Sequence, residues 1–127
     1  MQLSFEYNRV YLPAFPVLDL TISATMGGRQ QTTQGLIDFG SDITQIPLPI
    51  LRTIEARDVD DRWVRDASGL RVPVAIYVVQ LQIGSSVLPS IEVVGRTGSN
   101  ETIVGRDVLN QYIVTLNGLA NVTKIQD

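Results

Sequence analysis

Short runs of strand-forming residues, separated by turn-forming residues at regular spacing, restrict the fold of this chain more than any other feature. Val occurs 15 times, Ile 12 times and Thr 10 times, and these branched side chains pack well on the pleated surface of a sheet. Apolar Leu18, Leu20 and Ile22 alternate with polar Asp19 and Thr21, as expected for a strand with one buried face. The pattern therefore predicts a closed or sandwiched all-β domain.

The individual elements follow from the same patterns. A hairpin turn is predicted at Gly27-Gly28, where two glycines follow the first alternating run. One or two helical turns fit 49–56, and 105–112 is also compatible with a short helix. The segments predicted to be strands are 17–25, 30–37, 70–83, 87–94, 103–104, 113–116 and 122–125.

Length and charge limit the domain organisation and the partners. The 127 residues fit one domain, so a site that needs two lobes must recruit a second chain. We expect a single domain over 17–127, preceded by an N-terminal extension or strand over 1–16. A net charge of −3 provides no basic surface for nucleic acid or for an anionic membrane. The first residues lack the basic and apolar regions of a signal peptide, and no apolar run is long enough to span a bilayer, so we expect a cytoplasmic or otherwise soluble chain.

Two residue types are absent from the sequence, and their absence narrows the possible chemistry. Without cysteine there is no thiolate nucleophile, disulfide or Cys-ligated zinc. Without histidine there is no Ser-His-Asp triad, and the commonest general base is missing. Acid and base catalysis would then fall mainly to carboxylates, with Lys124 and four tyrosines as the other candidates. No metal or organic cofactor is implied.

The segment 35–41 (GLIDFGS) carries the clearest candidate for chemistry. An apolar strand leads directly into Asp38, and Gly40 leaves room for a close approach of the backbone. A carboxylate at the end of a buried strand loses hydration, so its position needs a reason. One reason is ordinary turn capping, in which the carboxylate accepts the next backbone N–H groups. The other is a catalytic role, and the short motif alone does not decide between them.

A second motif, 103–110 (IVGRDVLN), places the first in context. An apolar pair, a glycine and Arg-Asp precede a stretch compatible with a short helix. With the motif at 36–47 (LIDFGSDITQIP) and a β-rich middle, the chain resembles the retropepsins, the single-domain aspartic proteases of retroviral type, over about residues 17–125. The resemblance implies a closed acid-protease barrel with one short C-terminal helix, which forms homodimers and cleaves peptide or protein substrates. It implies that Trp63–Val74 forms the flap hairpin, with its tip at Ala67, Ser68 and Gly69.

The resemblance makes Asp38 the catalytic residue. Each chain supplies one such aspartate, and a twofold axis would bring Asp38 of one copy to Asp38 of the other. In aspartic proteases, two carboxyl groups about 3 Å apart share one proton, so one activates water while the other polarises the carbonyl. The two Asp38 side chains would titrate as a pair.

The resemblance also implies supporting roles for neighbouring residues. The backbone carbonyl of Gly40 would accept a hydrogen bond from the peptide, and Ser41 would either donate to Asp38 or stiffen the turn. Asp42 and Arg106 correspond to an intrachain ion pair; the alternative is two solvated charges. Ile103, Val104 and Gly105 would pack behind the Asp38 turn. The strand at 122–125 could pair by its edge across the dimer. Trp63 is expected in the core at the base of the flap rather than in contact with the substrate.

Phe39 is the main departure from the family. The family has Thr or Ser at this position, where its hydroxyl bonds across the dimer axis. Phenylalanine lacks the hydroxyl and is far larger, so either two rings stack at the axis or the turns separate. The second case predicts a catalytically impaired dimer that binds peptides or serves assembly, and this alternative stays open.

Three other interpretations are weaker. The letters Asp38-Phe39-Gly40 match a protein-kinase motif, but the chain lacks the catalytic-loop signature. The loop Gly95–Asn100 could hold an anion through backbone N–H groups, yet no Gly-Lys-Ser/Thr follows it, so a plain loop is expected. Asp58, Asp60 and Asp61 lack the Gly and closing Glu of a calcium loop, so a solvated turn is expected there.

Overall fold

The computed structural model describes residues 1–24 and 28–127, so Gly27 of the expected hairpin turn lies outside the described residues. Most of the predicted strands appear within one or two residues of their expected bounds. The elements are β1 (Gln2–Glu6), β2 (Val17–Ser23), β3 (Gln30–Ile37), β4 (Gln45–Pro47), α1 (Leu48–Thr53), β5 (Asp58–Arg65), β6 (Arg71–Ile83), β7 (Ser86–Arg96), β8 (Thr102–Val104), α2 (Arg106–Leu109), β9 (Ile113–Asn117) and β10 (Val122–Gln126).

The larger sheet closes on itself. Its strand order is β2-β3-β8-β4-β7-β6-β5, and β2 also pairs with β6, from Thr21 opposite Gln82 to Ser23 opposite Gln80. Six strands therefore form a closed barrel, and β5 continues beyond it as the outer partner of β6. The predicted all-β barrel is confirmed.

The barrel interior is built from the apolar faces of these strands. In β2, Leu18, Leu20 and Ile22 are almost fully buried while Asp19 is exposed, as the alternation of the sequence predicts. The same core contains Leu81 and Ile83 from β6, together with side chains from the other barrel strands, both helices and β10. Burial of this apolar surface is the main force that holds the barrel closed.

Strand β8 lies between β3 and β4 at the candidate site. Leu36 and Ile37 of β3 run parallel to Ile103 and Val104 of β8, and Gln45 of β4 lies opposite Ile103. The two motifs of the sequence analysis are thus adjacent strands, although more than 60 residues separate them along the chain. Gly35 permits this approach, since an added Cβ would lie 2.5 Å from Cγ2 of Val104.

The terminal strands form a separate sheet of order β1-β10-β9. Leu3 of β1 lies opposite Ile125, and Ile125 lies opposite Val114 of β9. Both edges of β10 are therefore occupied within one chain. The expectation that 122–125 pairs by its edge across a dimer is wrong, because β1, which falls in the segment 1–16, takes one edge and β9 takes the other.

Two short helices lie among the described residues. The C-terminal one, α2, is the helix that the resemblance implied, and α1, which begins directly after Pro47 and buries Ile50 and Leu51, overlaps the segment 49–56 predicted to form one or two helical turns. One further expectation needs correction. Trp63 is not in the core: its side chain is 61% exposed, and the guanidinium of Arg71 lies 5.6 Å from its ring centre. The reason is the position of β5 outside the closed barrel, where one face of the strand has no layer packed on it. Within 1–24 and 28–127, no helix has the length and apolar character needed to cross a membrane.

Candidate active site

Asp38 is the first residue after β3, in a tight turn at the end of the strand. Its N–H donates to the carbonyl of Val104 at 3.0 Å, which continues the β3–β8 ladder by one residue. Its Oδ1 accepts the N–H of Gly40 at 2.8 Å, and its carbonyl accepts the N–H of Ser41 at 3.2 Å. The half-buried carboxylate is thus held in one orientation by the turn that follows it.

Gly40 and Ser41 shape this turn in different ways. A Cβ on Gly40 would lie 3.0 Å from Oδ1 of Asp38, so a side chain there would crowd the carboxylate. The hydroxyl of Ser41 donates to the carbonyl of Ile43 at 2.7 Å. Of the two roles considered for Ser41, this bond fits the one in which Ser41 stiffens the turn.

The start of α2 packs directly beneath the turn. The N–H of Arg106 donates to the carbonyl of Ser41 at 2.8 Å. An added Cβ on Gly105 would lie 2.9 Å from the Ser41 oxygen and 2.9 Å from the Ile43 carbonyl carbon. Glycine at this position therefore allows the backbone of the second motif to touch the backbone of the first.

Thr44 and Asp107 form a buried polar link that the sequence analysis did not identify. The hydroxyl of Thr44 donates to Oδ1 of Asp107 at 2.7 Å, and its N–H donates to Oδ2 at 3.0 Å. The same hydroxyl accepts the N–H of Gly105 at 3.1 Å. Thr44 is fully buried and Asp107 is half-buried, so these bonds fix the Asp38 turn against α2 where water has limited access.

The expected ion pair between Asp42 and Arg106 is absent, because no nitrogen of Arg106 lies within 4.0 Å of an Asp42 oxygen. One Nη of Arg106 donates to the carbonyl of Phe39 at 3.2 Å. Both Asp42 and Arg106 are exposed. In a single chain, the carbonyl of the Asp38 turn is the nearer acceptor, and water hydrates the Asp42 carboxylate.

The β5–β6 hairpin has a well-bonded tip. The Asp66 side chain accepts the N–H groups of Ser68 and Leu70 at 2.9 and 3.1 Å, together with the Ser68 hydroxyl. The Ser68 hydroxyl, followed by the backbone N–H groups of Leu70, Ser68 and Gly69, lowers the pKa of Asp66. Gly69 has φ of +86°, a conformation in which a side chain would be strained.

A groove of about 530 Å³ lies between the Asp38 turn and this hairpin. Gly40, Ser41 and Asp42 line it on the turn side, while Asp66 and Ala67 line it on the hairpin side. Ser68 and Gly69 shape the tip but do not line the groove. Apolar side chains cover much of the remaining wall: Ile43, Val64, Val72, Val74 and Val94.

The residues predicted to support the site are brought together in part. Val104 is buried behind Asp38 and Ile103 is half-buried beside it. Phe39 is 41% exposed, so its ring points away from the core of its own chain. In the part of the chain that the structure describes, no three acidic side chains cluster as a metal site would require.

Comparison with known proteins places this geometry in a fold. A retropepsin-like aspartic protease from Rickettsia conorii superimposes with a TM-score of 0.68 at 9% sequence identity, covering 98% of this chain and 90% of that one. EIAV protease in complex with the inhibitor HBY-793 superimposes with a TM-score of 0.59 at 17% identity, covering 76% of this chain and 86% of that one. The chain has a retropepsin-like fold. No protein-family model and no curated protein matches the sequence.

The retropepsin-like fold explains why the two sequence motifs share one site. It places the strand before Asp38 and the strand before Gly105 side by side, so the backbone of one motif supports the turn of the other. The resemblance of the two motifs pointed to this fold, and the structural comparison confirms it.

Proposed function

We propose that this chain is an aspartic endopeptidase that acts as a homodimer, with Asp38 of each copy forming the catalytic pair. The observation that carries the proposal is the position of Asp38, on the floor of a groove in a retropepsin-like fold. One chain presents one such turn, and peptide hydrolysis by carboxylates needs two acids in opposite protonation states. A twofold axis at the Asp38 turn supplies the second acid without any further residue.

In the proposed mechanism, the ionised Asp38 takes a proton from water as the water oxygen attacks the peptide carbonyl carbon. The protonated Asp38 of the other copy donates to the carbonyl oxygen as charge develops on it. The tetrahedral intermediate collapses when its C–N bond breaks. The amine leaves with the proton that the first carboxyl took from water, and a hydroxyl of the intermediate returns its proton to the second carboxylate as the carbonyl re-forms. The dyad then holds one proton again, and a carboxylic acid and an amine are released.

The β5–β6 hairpin is proposed to act as the flap. A substrate bound in extended form between the hairpin and the floor would pair with the backbone as an added strand. The Gly40 carbonyl is the proposed acceptor on the floor. The apolar wall of the groove suits apolar side chains of the peptide.

A second candidate follows from Phe39. Its partly exposed ring stands beside the carboxylate that the dimer needs to bring close to its twin. If two rings hold the turns apart, the same dimer binds peptides or serves assembly without cleaving them. The two candidates predict the same dimer and differ in turnover.

An assay on denatured casein at about pH 4–6, where a carboxyl pair holds one proton, separates the candidates. Wild-type turnover should disappear in Asp38→Asn and persist in Asp19→Asn, which alters an exposed carboxylate on the barrel. Equal background turnover by wild type and Asp38→Asn would defeat the protease proposal. Sedimentation at micromolar concentration tests the dimer, and a strict monomer would contradict it.

A further inference from the structure

We propose that the groove over Asp38 continues into a cationic subsite that takes an acidic side chain of the substrate. This inference rests on the proposed function, since it names the class of peptide that the groove accepts. The subsite is an adjoining cavity of about 420 Å³, here called the arginine pocket, which Arg52, Arg96, Thr97, Ser99 and Asn100 line with two apolar residues of the β4–α1 junction.

The arginine pocket adjoins the groove, and Arg96 lines both cavities. Gln45 and Val94 pair as neighbours on the groove wall, and Pro47 and Arg96 pair two residues further along the same strands. A peptide that runs along this wall away from Asp38 would therefore reach Arg96. Since α1 begins at Leu48, directly after β4, Arg52 lies just over one helical turn beyond this point.

The charge of the pocket favours an anion. Arg52 is exposed, and no acidic side chain among residues 1–24 and 28–127 lies within 4.0 Å of its guanidinium. No aspartate or glutamate lines the pocket itself. Arg52 would thus offer a full positive charge to a bound group.

Arg96 is partly compensated by a neighbour outside the pocket lining. Its Nη1 donates to the carbonyl of Glu101 at 2.8 Å, and the Glu101 carboxylate lies 3.8 Å away. The Tyr11 hydroxyl bonds the other oxygen of the same carboxylate. Glu101 therefore fixes Arg96 in place and offsets part of its charge, while the two arginines together still exceed the one carboxylate.

The available donors match a carboxylate. A guanidinium offers paired N–H groups whose spacing fits the two oxygens of a carboxylate. The hydroxyls of Thr97 and Ser99 and the amide of Asn100 add neutral donors around the same cavity. A side-chain carboxylate and the C-terminal carboxylate of a peptide share this chemistry, and we assign the arginine pocket to the side chain.

The test compares matched peptides with blocked ends, in which one residue on either side of the cleaved bond is Glu or Gln. Cleavage is measured as kcat/KM with the wild type, and binding is measured by fluorescence anisotropy with Asp38→Asn, which needs no turnover. We expect the Glu peptide to be favoured by about fivefold at one position, the size of an exposed ion pair. Arg52→Gln should remove that preference, and added salt should weaken it.

Arg57→Gln is the matched control, because Arg57 is also exposed, lies just after α1 and does not line the pocket. It should retain the full preference for Glu. Arg96→Gln is the second variant, and it should reduce the preference if Glu101 leaves charge on Arg96. A peptide with Gln throughout and a free C-terminus tests the other source of a carboxylate.

The failures of the two proposals are distinguishable. Cleavage or binding of Glu and Gln peptides with equal efficiency at every position overturns the arginine pocket and leaves the protease proposal intact. A preference for the free C-terminus alone overturns the side-chain assignment. If no peptide is cleaved but Asp38→Asn binds the Glu peptide in a way that depends on Arg52, the subsite is supported and the protease proposal fails.

Discussion

The carboxylate of Asp107 accepts both the hydroxyl and the backbone N–H of Thr44, at 2.7 and 3.0 Å. Thr44 lies six residues after Asp38, and Asp107 lies in the first turn of α2. Through this one side-chain pair, the helix of the second motif holds the turn of the first motif. The segment that follows the candidate catalytic carboxylate is thus held by a residue that does not line the groove.

Replacement of Thr44 tests this link. Thr44→Val keeps the shape of the side chain but leaves the buried Gly105 N–H without its acceptor and removes one bond to Asp107. We expect the free energy of unfolding to fall by about 1–3 kcal/mol, measured by urea denaturation. Thr115→Val, at an exposed position of β9, should change it by no more than about 0.5 kcal/mol. Equal effects of the two substitutions would show that the link is not stabilising.

The close approach of Gly105 to the Asp38 turn gives a second prediction. Gly105→Ala would place a Cβ 2.9 Å from backbone atoms of Ser41 and Ile43, so one of the two segments must move. We expect a loss of about 1–3 kcal/mol in the free energy of unfolding. Gly118→Ala is the control, since a Cβ there meets nothing within 4 Å. A Gly105→Ala variant as stable as the Gly118→Ala variant would contradict the proposed close packing.

The tip of the β5–β6 hairpin should respond to acid through Asp66. Its pKa is lowered from 3.8 in the folded chain, so the bonds to Ser68 and Leu70 are fully formed above that value. Their contribution to the stability of the hairpin tip is lost as the pH falls through the lowered pKa of Asp66. Amide hydrogen exchange at Ser68 and Leu70, whose N–H groups donate to the Asp66 carboxylate, should therefore accelerate, relative to the intrinsic rate, only below pH 3.8. Loss of protection already above this pH would contradict the assignment, and Asp66→Ala should remove protection at every pH.

Phe39 gives a prediction about self-association. On the proposed dimer, the exposed ring is buried against its copy, and its loss removes apolar contact from both chains. Phe39→Ala should raise the dimer dissociation constant by about tenfold or more, measured by sedimentation over a range of concentrations. Phe15→Ala, at a half-buried position of the loop before β2, is a control for loss of a phenyl ring. An unchanged dissociation constant in Phe39→Ala would place the ring away from the interface.

Local patterns were sufficient for most strands. The predicted strand 30–37 coincides with β3, and 70–83 differs from β6 by one residue, because alternation and branched side chains report burial of one sheet face. The order of strands was not accessible in this way. The three-residue β8 enters between β3 and β4 through contacts far apart in sequence, and only the resemblance of two motifs pointed to the fold.

The candidate site was predictable where the motif itself carries the chemistry. Asp38 and Gly40 follow from their own segment, whereas the partner of Arg106 depends on how a flexible side chain reaches the nearest acceptor. Thr44 and Asp107 are 63 residues apart, and nothing in either motif singled out one of them as the partner of the other. The one available signal was the hydroxyl of Thr44 directly after Ile43, since a hydroxyl buried beside apolar residues needs a partner.

The enclosure of β10 between β1 and β9 has a consequence for how the molecule would be controlled. A chain that completes its terminal sheet alone can reach its native state before it meets a second copy. Folding and assembly then become separate equilibria, and dilution would switch the proposed enzyme off without unfolding it. At concentrations well below the dissociation constant, the turnover rate would rise with the square of the protein concentration, so the amount of protein would itself control activity.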